Sequence, residues 1–268
     1  MAQVMEKDTC YRCGSTDRSE LFHLTNLISI VKCRACSLVR TYPYPSFSFE
    51  SQEKYSKFYA ENEKMFRMFA RSMMEEIKQF KSSGSFLDIG CAVGYLLDEA
   101  KLAGFGRTEG VELNHEASAI SRKKGHTVYA NNVEKLMLDD GAFDVISFNH
   151  VLEHIDDYKP FLAAVRRLLK DDGIVYCGAP NYNSFMRRLL RRGWYGWGMP
   201  DHVWHFDLKT LKSVMEENGF RAKRVVRNAM YYPYSKSLRK NTRATLARIA
   251  GALGAGDQVY GIFGKKEI

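Results

Sequence analysis

FLDIGCAVGY, residues 86–95, is the most informative stretch of this 268-residue chain. A short apolar run ends in Asp88 and continues through small residues into a helical pattern. A dinucleotide fingerprint needs glycines at positions 92 and 95, where this chain has alanine and tyrosine, and a phosphate-binding P-loop needs a lysine followed by serine or threonine. Neither pattern is present. An acidic residue at a strand end, followed by residues that let a ligand approach the backbone, suits a cation better than a pyrophosphate.

Short runs of strand-forming residues alternate with helical patterns after this stretch. The predicted strands are 86–89, 108–111, 127–129, 143–148 and 174–177, and the predicted helices between them are 95–103, 115–124 and 160–169. Such alternation predicts an α/β fold with a doubly wound parallel sheet covered by helices on both faces. In sheets of this kind, ligands bind beyond the carboxyl ends of the strands.

The pattern D-x-G-x-A-x-G, with an acidic residue ending the next strand, resembles the class I S-adenosylmethionine-dependent methyltransferases, especially the ubiquinone-biosynthesis subgroup. The resemblance covers residues 50–268 and implies a seven-stranded, mostly parallel, Rossmann-like sheet with an antiparallel closing strand at 258–264. It implies that Asp88, Gly90 and Gly94 surround the methionine moiety of the cofactor, S-adenosylmethionine. Glu112 is expected on the ribose hydroxyls and Asn132 beside the adenine. The complete predicted cofactor-binding set is Asp88, Gly90, Cys91, Gly94, Glu112, Leu113, Asn132, Val133 and Asn149.

Two close cysteine pairs precede this domain. They are Cys10-x2-Cys13 and Cys33-x2-Cys36, separated by 19 residues, which is the spacing of a zinc ribbon. The alternatives are two disulfides or two redox sites, and neither suits a chain without an export signal or a thioredoxin-like context. We therefore expect a structural Zn²⁺ in a module spanning residues 1–45, which ends at Pro43 and Pro45. A helical linker at 46–84 follows, with Phe66, Phe69, Met73, Ile77 and Phe80 as its packing stripe.

Candidate catalytic residues come from two histidine-containing segments. Residues 149–154, NHVLEH, resemble the segment that lines the methyl-acceptor side in the ubiquinone-biosynthesis subgroup. In one branch of the family, two glutamates and a histidine of this segment hold a divalent metal. Glu153 and His154 match those ligands, but His150 replaces the first glutamate, so a catalytic metal stays open. We expect His205 as the first candidate for a general base and His154 as the second, because a neutral imidazole can accept a proton near neutral pH.

An insertion at 181–206 contains all three tryptophans, Trp194, Trp197 and Trp204. Their indole rings can either stack on a planar substrate or pack the insertion against the domain. Helix 208–218 is predicted to follow, with Asp207 as its N-cap. A second, helical insertion is predicted at 235–254.

The net charge of +9 is unevenly distributed. Residues 181–268 hold 17 basic and 6 acidic side chains, or +11, and include Arg187, Arg188, Arg191 and Arg192. Arginines beside a site favour an anionic substrate, although a charged helix face can also be merely solvated. The remaining chain is nearly neutral, so any anionic partner is expected to meet the C-terminal third.

Zinc ribbons fused ahead of this fold resemble enzymes that act on sugars, nucleotide sugars or other small molecules, so we expect a small-molecule or saccharide acceptor. RNA or protein methylation, suggested by the basic region, and a non-catalytic binding module are the alternatives. The sequence has no apolar run long enough to cross a bilayer and no apolar signal segment at its start, which predicts a cytoplasmic protein without membrane insertion.

Overall fold

The structure, a computed structural model, describes residues 9–43, 52–198, 201–228 and 238–267. In the described part of the chain, a small antiparallel sheet follows Cys10 and Cys13 and includes Cys33. Its strands are β1 (Arg18–His23), β2 (Ser29–Cys33) and β3 (Val39–Tyr42). Pro45 and the predicted boundary between ribbon and linker lie outside the described residues. Two helices follow, α1 (Gln52–Glu61) and α2 (Glu63–Lys78).

The main domain is built on a seven-stranded sheet, as the family resemblance implies. The strands beyond the linker, in chain order, are β4 (Ser85–Ile89), β5 (Arg107–Val111), β6 (Thr127–Tyr129), β7 (Phe143–Asn149), β8 (Leu169–Pro180), β9 (Trp204–His205), β10 (Phe220–Asn228) and β11 (Gln258–Lys265). The large sheet has the order β10-β11-β8-β7-β4-β5-β6, and β11 runs antiparallel to both of its neighbours. The predicted doubly wound, mostly parallel sheet is confirmed.

Helices cover both faces of this sheet. Those of the main domain are α3 (Tyr95–Leu102), α4 (His115–Lys123), α5 (Tyr158–Leu168), α6 (Phe185–Leu190), α7 (Leu208–Glu217) and α8 (Leu238–Ala252). Alternate residues of β4 enter opposite cores because side chains alternate along a strand. Leu87 packs with residues of α5 and α7, whereas Phe86 packs with residues of α2 and α3. The predicted N-cap of α7 is confirmed, since the Asp207 carboxylate accepts a hydrogen bond from the Thr210 amide.

The insertion at 181–206 connects the two sheets. β9, inside this insertion, pairs antiparallel with β3, so that His205 lies opposite Val39. All three tryptophans are buried, which favours packing over substrate stacking. Of the predicted insertion at 235–254, residues 235–237 lie outside the described residues, as do the side chains of Arg239, Lys240, Arg243 and Arg248. Within the described part of the chain, no helix combines the length and the apolar character needed to cross a membrane.

Candidate active site

The loop that follows β4 is held in a conformation that depends on its small residues. Gly90, Ala92 and Gly94 all have positive φ angles, of 76°, 47° and 83°. A Cβ atom on Gly90 would lie 2.6 Å from a methyl carbon of Val151, so a side chain at this position is excluded without rearrangement. The amides of Gly90 and Cys91 donate hydrogen bonds to the carbonyl oxygen of Val111 at the end of β5. The loop is therefore fixed to the neighbouring strand.

Glu112 connects the loops that follow β4 and β5. One carboxylate oxygen accepts a hydrogen bond from the Ala92 amide at 2.8 Å, and the other accepts from the Asn114 amide at 2.7 Å. These bonds fix the orientation of the carboxylate, and each oxygen retains a further lone pair. Glu112 is therefore placed to accept hydrogen bonds from a ligand that carries hydroxyl groups.

Asp88 is buried at the end of β4, beside this loop. Its carboxylate accepts a hydrogen bond of 2.6 Å from the Ser147 hydroxyl. Burial raises the pKa of Asp88 to about 7, although the Ser147 hydrogen bond acts in the opposite direction. A buried carboxylate of this kind favours a positively charged ligand, because the ligand would supply the missing counter-charge.

A cavity of about 780 Å³ opens beside the loop. Of the predicted cofactor-binding residues, Asp88, Gly90, Cys91 and Asn149 line it. Its opposite wall is formed by aromatic and methionine side chains of α1 and α2, namely Phe58, Tyr59, Met65, Phe66, Met68, Phe69 and Met73. The predicted packing stripe of the linker is therefore divided, because Phe66, Phe69 and Met73 face the cavity whereas Ile77 is fully buried in the core.

The other predicted cofactor-binding residues do not line this cavity. Gly94 is the N-cap of α3, and Glu112 and Leu113 follow β5. Asn132 is exposed and Val133 is buried in a short 3-10 helix beyond β6. These residues follow the carboxyl ends of the parallel strands β4, β5 and β6. Parallel sheets bind ligands at this edge.

The two histidines expected as bases do not line the cavity. His205 is only 3% exposed, and its Nε2 atom lies 3.0 Å from the Thr41 hydroxyl of β3. Burial lowers the pKa of His205 to about 3. The Nδ1 atom of His154 faces the carbonyl oxygen of Asp201 at 3.1 Å. His205 therefore occupies a buried position against Thr41 of β3 and the Trp197 ring of the insertion, and this position does not support it as a base.

His150 lines the cavity although it was not among the predicted site residues. It follows β7 with a φ of 56°, an unusual backbone conformation for a residue other than glycine, and its side chain lines the cavity. Its Nε2 atom lies 2.9 Å from the side-chain amide nitrogen of Gln258, so it accepts a hydrogen bond there. The sequence signal for His150 was the resemblance of NHVLEH, residues 149–154, to the segment that lines the acceptor side in the ubiquinone-biosynthesis subgroup.

The four clustered cysteines form one site. Their sulfur atoms all lie within 4.8 Å of one another, and the Cys10–Cys36 and Cys13–Cys33 sulfur pairs are 3.5 and 3.6 Å apart. Gly14 and Ser37 have positive φ angles at equivalent places after the two cysteine pairs. Four sulfurs at these separations fit the tetrahedral coordination of Zn²⁺, with no position open for a substrate. The predicted ligand set is thus brought together, and a structural role fits it.

A loop of small residues at the carboxyl edge of a seven-stranded sheet with one antiparallel strand is typical of methyltransferases. A family model described as "Methyltransferase domain" matches residues 61–225. The chain belongs to this family.

Individual proteins resemble the chain over part of its length. An uncharacterized protein of Methanocaldococcus jannaschii is 28% identical over 137 residues, which cover 51% of this chain and 62% of that protein. The ubiquinone biosynthesis O-methyltransferase of Thiobacillus denitrificans is 32% identical over 129 residues, 40% of this chain and 53% of that enzyme. The chain therefore spans between about half and three fifths of the length of these two relatives.

Among solved structures, the fold is similar to that of a protein from Thermotoga maritima described as a SAM-dependent methyltransferase and possible histamine N-methyltransferase. The TM-score is 0.59 at 24% identity, covering 81% of this chain and all of that one. At this identity the likeness establishes the fold alone.

Proposed function

We propose that this protein transfers a methyl group from S-adenosylmethionine to a small-molecule acceptor bound in the cavity between the sheet and helices α1 and α2. The observation that carries this proposal is the position of the glycine loop and Asp88 at one end of a cavity of about 780 Å³. That volume lies within the range of ordinary small-molecule sites. The family membership supports the same conclusion.

The cofactor is placed by the residues at the strand ends. The carboxylate of Asp88 favours the positively charged methionine part, and the small residues of the loop let it approach the backbone. Glu112, oriented by two backbone amides, accepts hydrogen bonds from the ribose hydroxyls. Asn132 and Val133, beyond the next strand, are expected to meet the adenine.

The acceptor side of the cavity is mainly aromatic and apolar. The described lining residues include no lysine or arginine, and Glu76 is partnered by Arg224 at 2.9 Å. Arg187 donates to the carbonyl oxygen of Tyr182, and it is not among the lining residues. The cavity thus favours a neutral acceptor with a flat or apolar surface, which includes an aromatic ring or the face of a sugar. Its described lining residues include no lysine or arginine to pair with the phosphates of a nucleotide sugar.

Methyl transfer requires mainly that the reacting atoms be aligned. The sulfonium group already makes the methyl carbon electrophilic, so the protein must hold acceptor atom, methyl carbon and sulfur in line. Positioning of this kind can contribute about 7–11 kcal/mol to lowering a barrier. Asn149, His150 and Gln258 supply polar groups at the cavity wall for orienting an acceptor hydroxyl or amine.

The proposal is tested by incubating the protein with methyl-labelled S-adenosylmethionine and fractionated cytosol. We expect label in small molecules. Once an acceptor is identified, Met73→Ala should raise the acceptor KM several-fold and leave the cofactor Kd unchanged. Met137→Ala is the matched control, because this methionine is 100% exposed. Label in a nuclease-sensitive or protein fraction would contradict a small acceptor, and cofactor binding without transfer to any fraction would contradict catalysis.

A further inference from the structure

The cavity extends well beyond the cofactor loop. Its lining residues come in part from β4, β7, β8, β11 and β10, which are adjacent in that order in the large sheet. Neighbouring strands lie about 4.8 Å apart, so the outermost of these strands are separated by roughly 19 Å. The loop with Asp88 and Gly90 is at the β4 side. Much of the cavity therefore lies away from the residues expected to hold the methionine part of the cofactor.

Strand register locates two tyrosines in this distant part. Asp88 pairs with Ser147 on β7, and Ser147 pairs with Tyr176 on β8. Tyr260 lies on β11, the next strand in the sheet, and pairs with Gly178. Since β11 is three strand spacings from β4, Tyr260 is about 14 Å from the strand that carries Asp88. The cavity therefore has a second end, on the β11 side, that is well separated from the cofactor loop.

Tyr176 and Tyr260 form one wall at this second end. Their rings are stacked, with centroids 5.4 Å apart and an angle of 19° between the ring planes. Both residues line the cavity and are buried, although each carries a hydroxyl group. Burial, and secondarily the Glu76 carboxylate, raises the pKa of Tyr260 to about 12, so this hydroxyl keeps its proton. The wall thus combines a flat apolar surface with neutral hydroxyl groups.

Glu76 of α2 brings a carboxylate to the same part of the cavity. The Nη1 atom of Arg224, on β10, lies 2.9 Å from the Glu76 Oε2 atom and donates a hydrogen bond of 2.9 Å to the Gln79 side chain. Arg224 is not among the described lining residues, so it holds the carboxylate from outside the cavity. A carboxylate offers about four lone-pair positions for hydrogen bonds. One arginine therefore fixes the carboxylate without using up its capacity to accept a hydrogen bond from a ligand.

The second end of the cavity therefore suits a ligand that donates a hydrogen bond. Because Arg224 already balances the charge of Glu76, a neutral hydroxyl group fits this position better than an ammonium group. We propose that Glu76, beside Tyr260, binds a hydroxyl group at the end of the acceptor that is remote from the methylated atom. Glu76 is then a specificity-determining residue, and the acceptor is an elongated molecule whose flat or apolar middle lies along the stacked tyrosines. This inference rests on the proposed function only in identifying the ligand of the cavity as the methyl acceptor.

The test uses two probes that differ in one hydrogen-bond donor. Phenylbutanol carries an aromatic ring and a terminal hydroxyl group, and its methyl ether lacks the hydroxyl proton. Each probe is titrated by NMR into the full-length, zinc-loaded protein in the presence of S-adenosylhomocysteine. We expect the wild type to bind the alcohol about tenfold more tightly than the ether, as is typical of a hydrogen bond to a charged group. Calorimetry with S-adenosylhomocysteine alone reports on the proposed function, so the failure of one proposal is distinguishable from the failure of the other.

Three variants separate recognition by Glu76 from a structural role of its ion pair. Glu76→Met and Arg224→Met both remove the ion pair, but only Glu76→Met removes the hydrogen-bond acceptor. Glu76→Met should therefore lose the preference for the alcohol, whereas Arg224→Met and the exposed control Glu75→Met should retain it. Circular dichroism verifies that each variant is folded. A wild-type protein without preference for the alcohol would overturn the proposal, as would a folded Glu76→Met protein that keeps the preference or an Arg224→Met protein that loses it completely.

Discussion

The positions of Asp88 and Glu112 at the ends of neighbouring strands were predictable, because the sequence signals for them are local. Asp88 lies near the end of β4, and Glu112 directly follows β5. The small residues after Asp88 specify the loop that joins β4 to α3. His205 and His150 were not predictable in the same way. The hydrogen-bond partner of His205 is Thr41, which lies 164 residues away in the sequence. Only the folded chain brings the His205 Nε2 atom within 3.0 Å of the Thr41 hydroxyl. The sequence therefore predicted the loop after β4, whereas the buried position of His205 away from the cavity could be seen only in the fold.

The raised pKa of Asp88 predicts pH-dependent cofactor binding. With its pKa near 7, Asp88 is largely protonated below neutral pH, and a positively charged cofactor binds the ionised form better. Affinity for S-adenosylmethionine should therefore increase as the pH rises through 7, by up to about tenfold per pH unit below the pKa. Titration calorimetry at several pH values measures this.

Asp88→Asn is the control for that measurement. Burial also raises the pKa of Glu112, so the variant should flatten most of the pH dependence without removing all of it. An unchanged pH profile in Asp88→Asn would show that Asp88 is not the linked group.

At the scale of elements, the residue pattern located strands β4 to β8 and helices α3, α4, α5 and α7, the family resemblance implied β11, and β10 was not predicted. Two elements differ from expectation for physical reasons. β8 begins at Leu169, well before the predicted run at 174–177, because it continues directly from the end of α5. β9 has only two residues, and it exists because β3 offers an edge for pairing, so no local pattern marks it.

The cysteine cluster is an element whose stability should depend on metal. Cys13→Ser removes one thiolate, and we expect loss of one zinc equivalent and a decrease in the free energy of unfolding of at least about 2 kcal/mol. Cys91→Ser is the matched control, because Cys91 lies outside the cluster and should retain the zinc. Metal analysis and thermal melting provide the two measurements. A fully folded Cys13→Ser protein with unchanged zinc content would be incompatible with a four-thiolate site.

In the whole molecule, the ribbon is joined to the methyltransferase domain and is not a separate appendage. β9 of the insertion extends the ribbon sheet, and Arg12 forms a hydrogen bond of 2.9 Å to Glu217 at the end of α7. The Tyr11 ring packs against Tyr158 and Trp204. The cysteine spacing predicted the ribbon itself. Its attachment could not be predicted, because the residues that form the contact are far apart in sequence and have no periodic signal.

The loop after β4 and the carboxylate after β5 are proposed to bind S-adenosylmethionine together. Titration calorimetry with S-adenosylhomocysteine, the demethylated cofactor, tests it on wild-type protein, Glu112→Ala and the control Glu109→Ala. Glu109 lies on β5, the strand that Glu112 follows, but its carboxylate is engaged by Arg107 and Tyr129. We predict one binding site in the wild type, affinity about 10–100-fold weaker in Glu112→Ala and unchanged affinity in Glu109→Ala. Absence of binding by the wild type, or equal affinity in Glu112→Ala, would contradict the account.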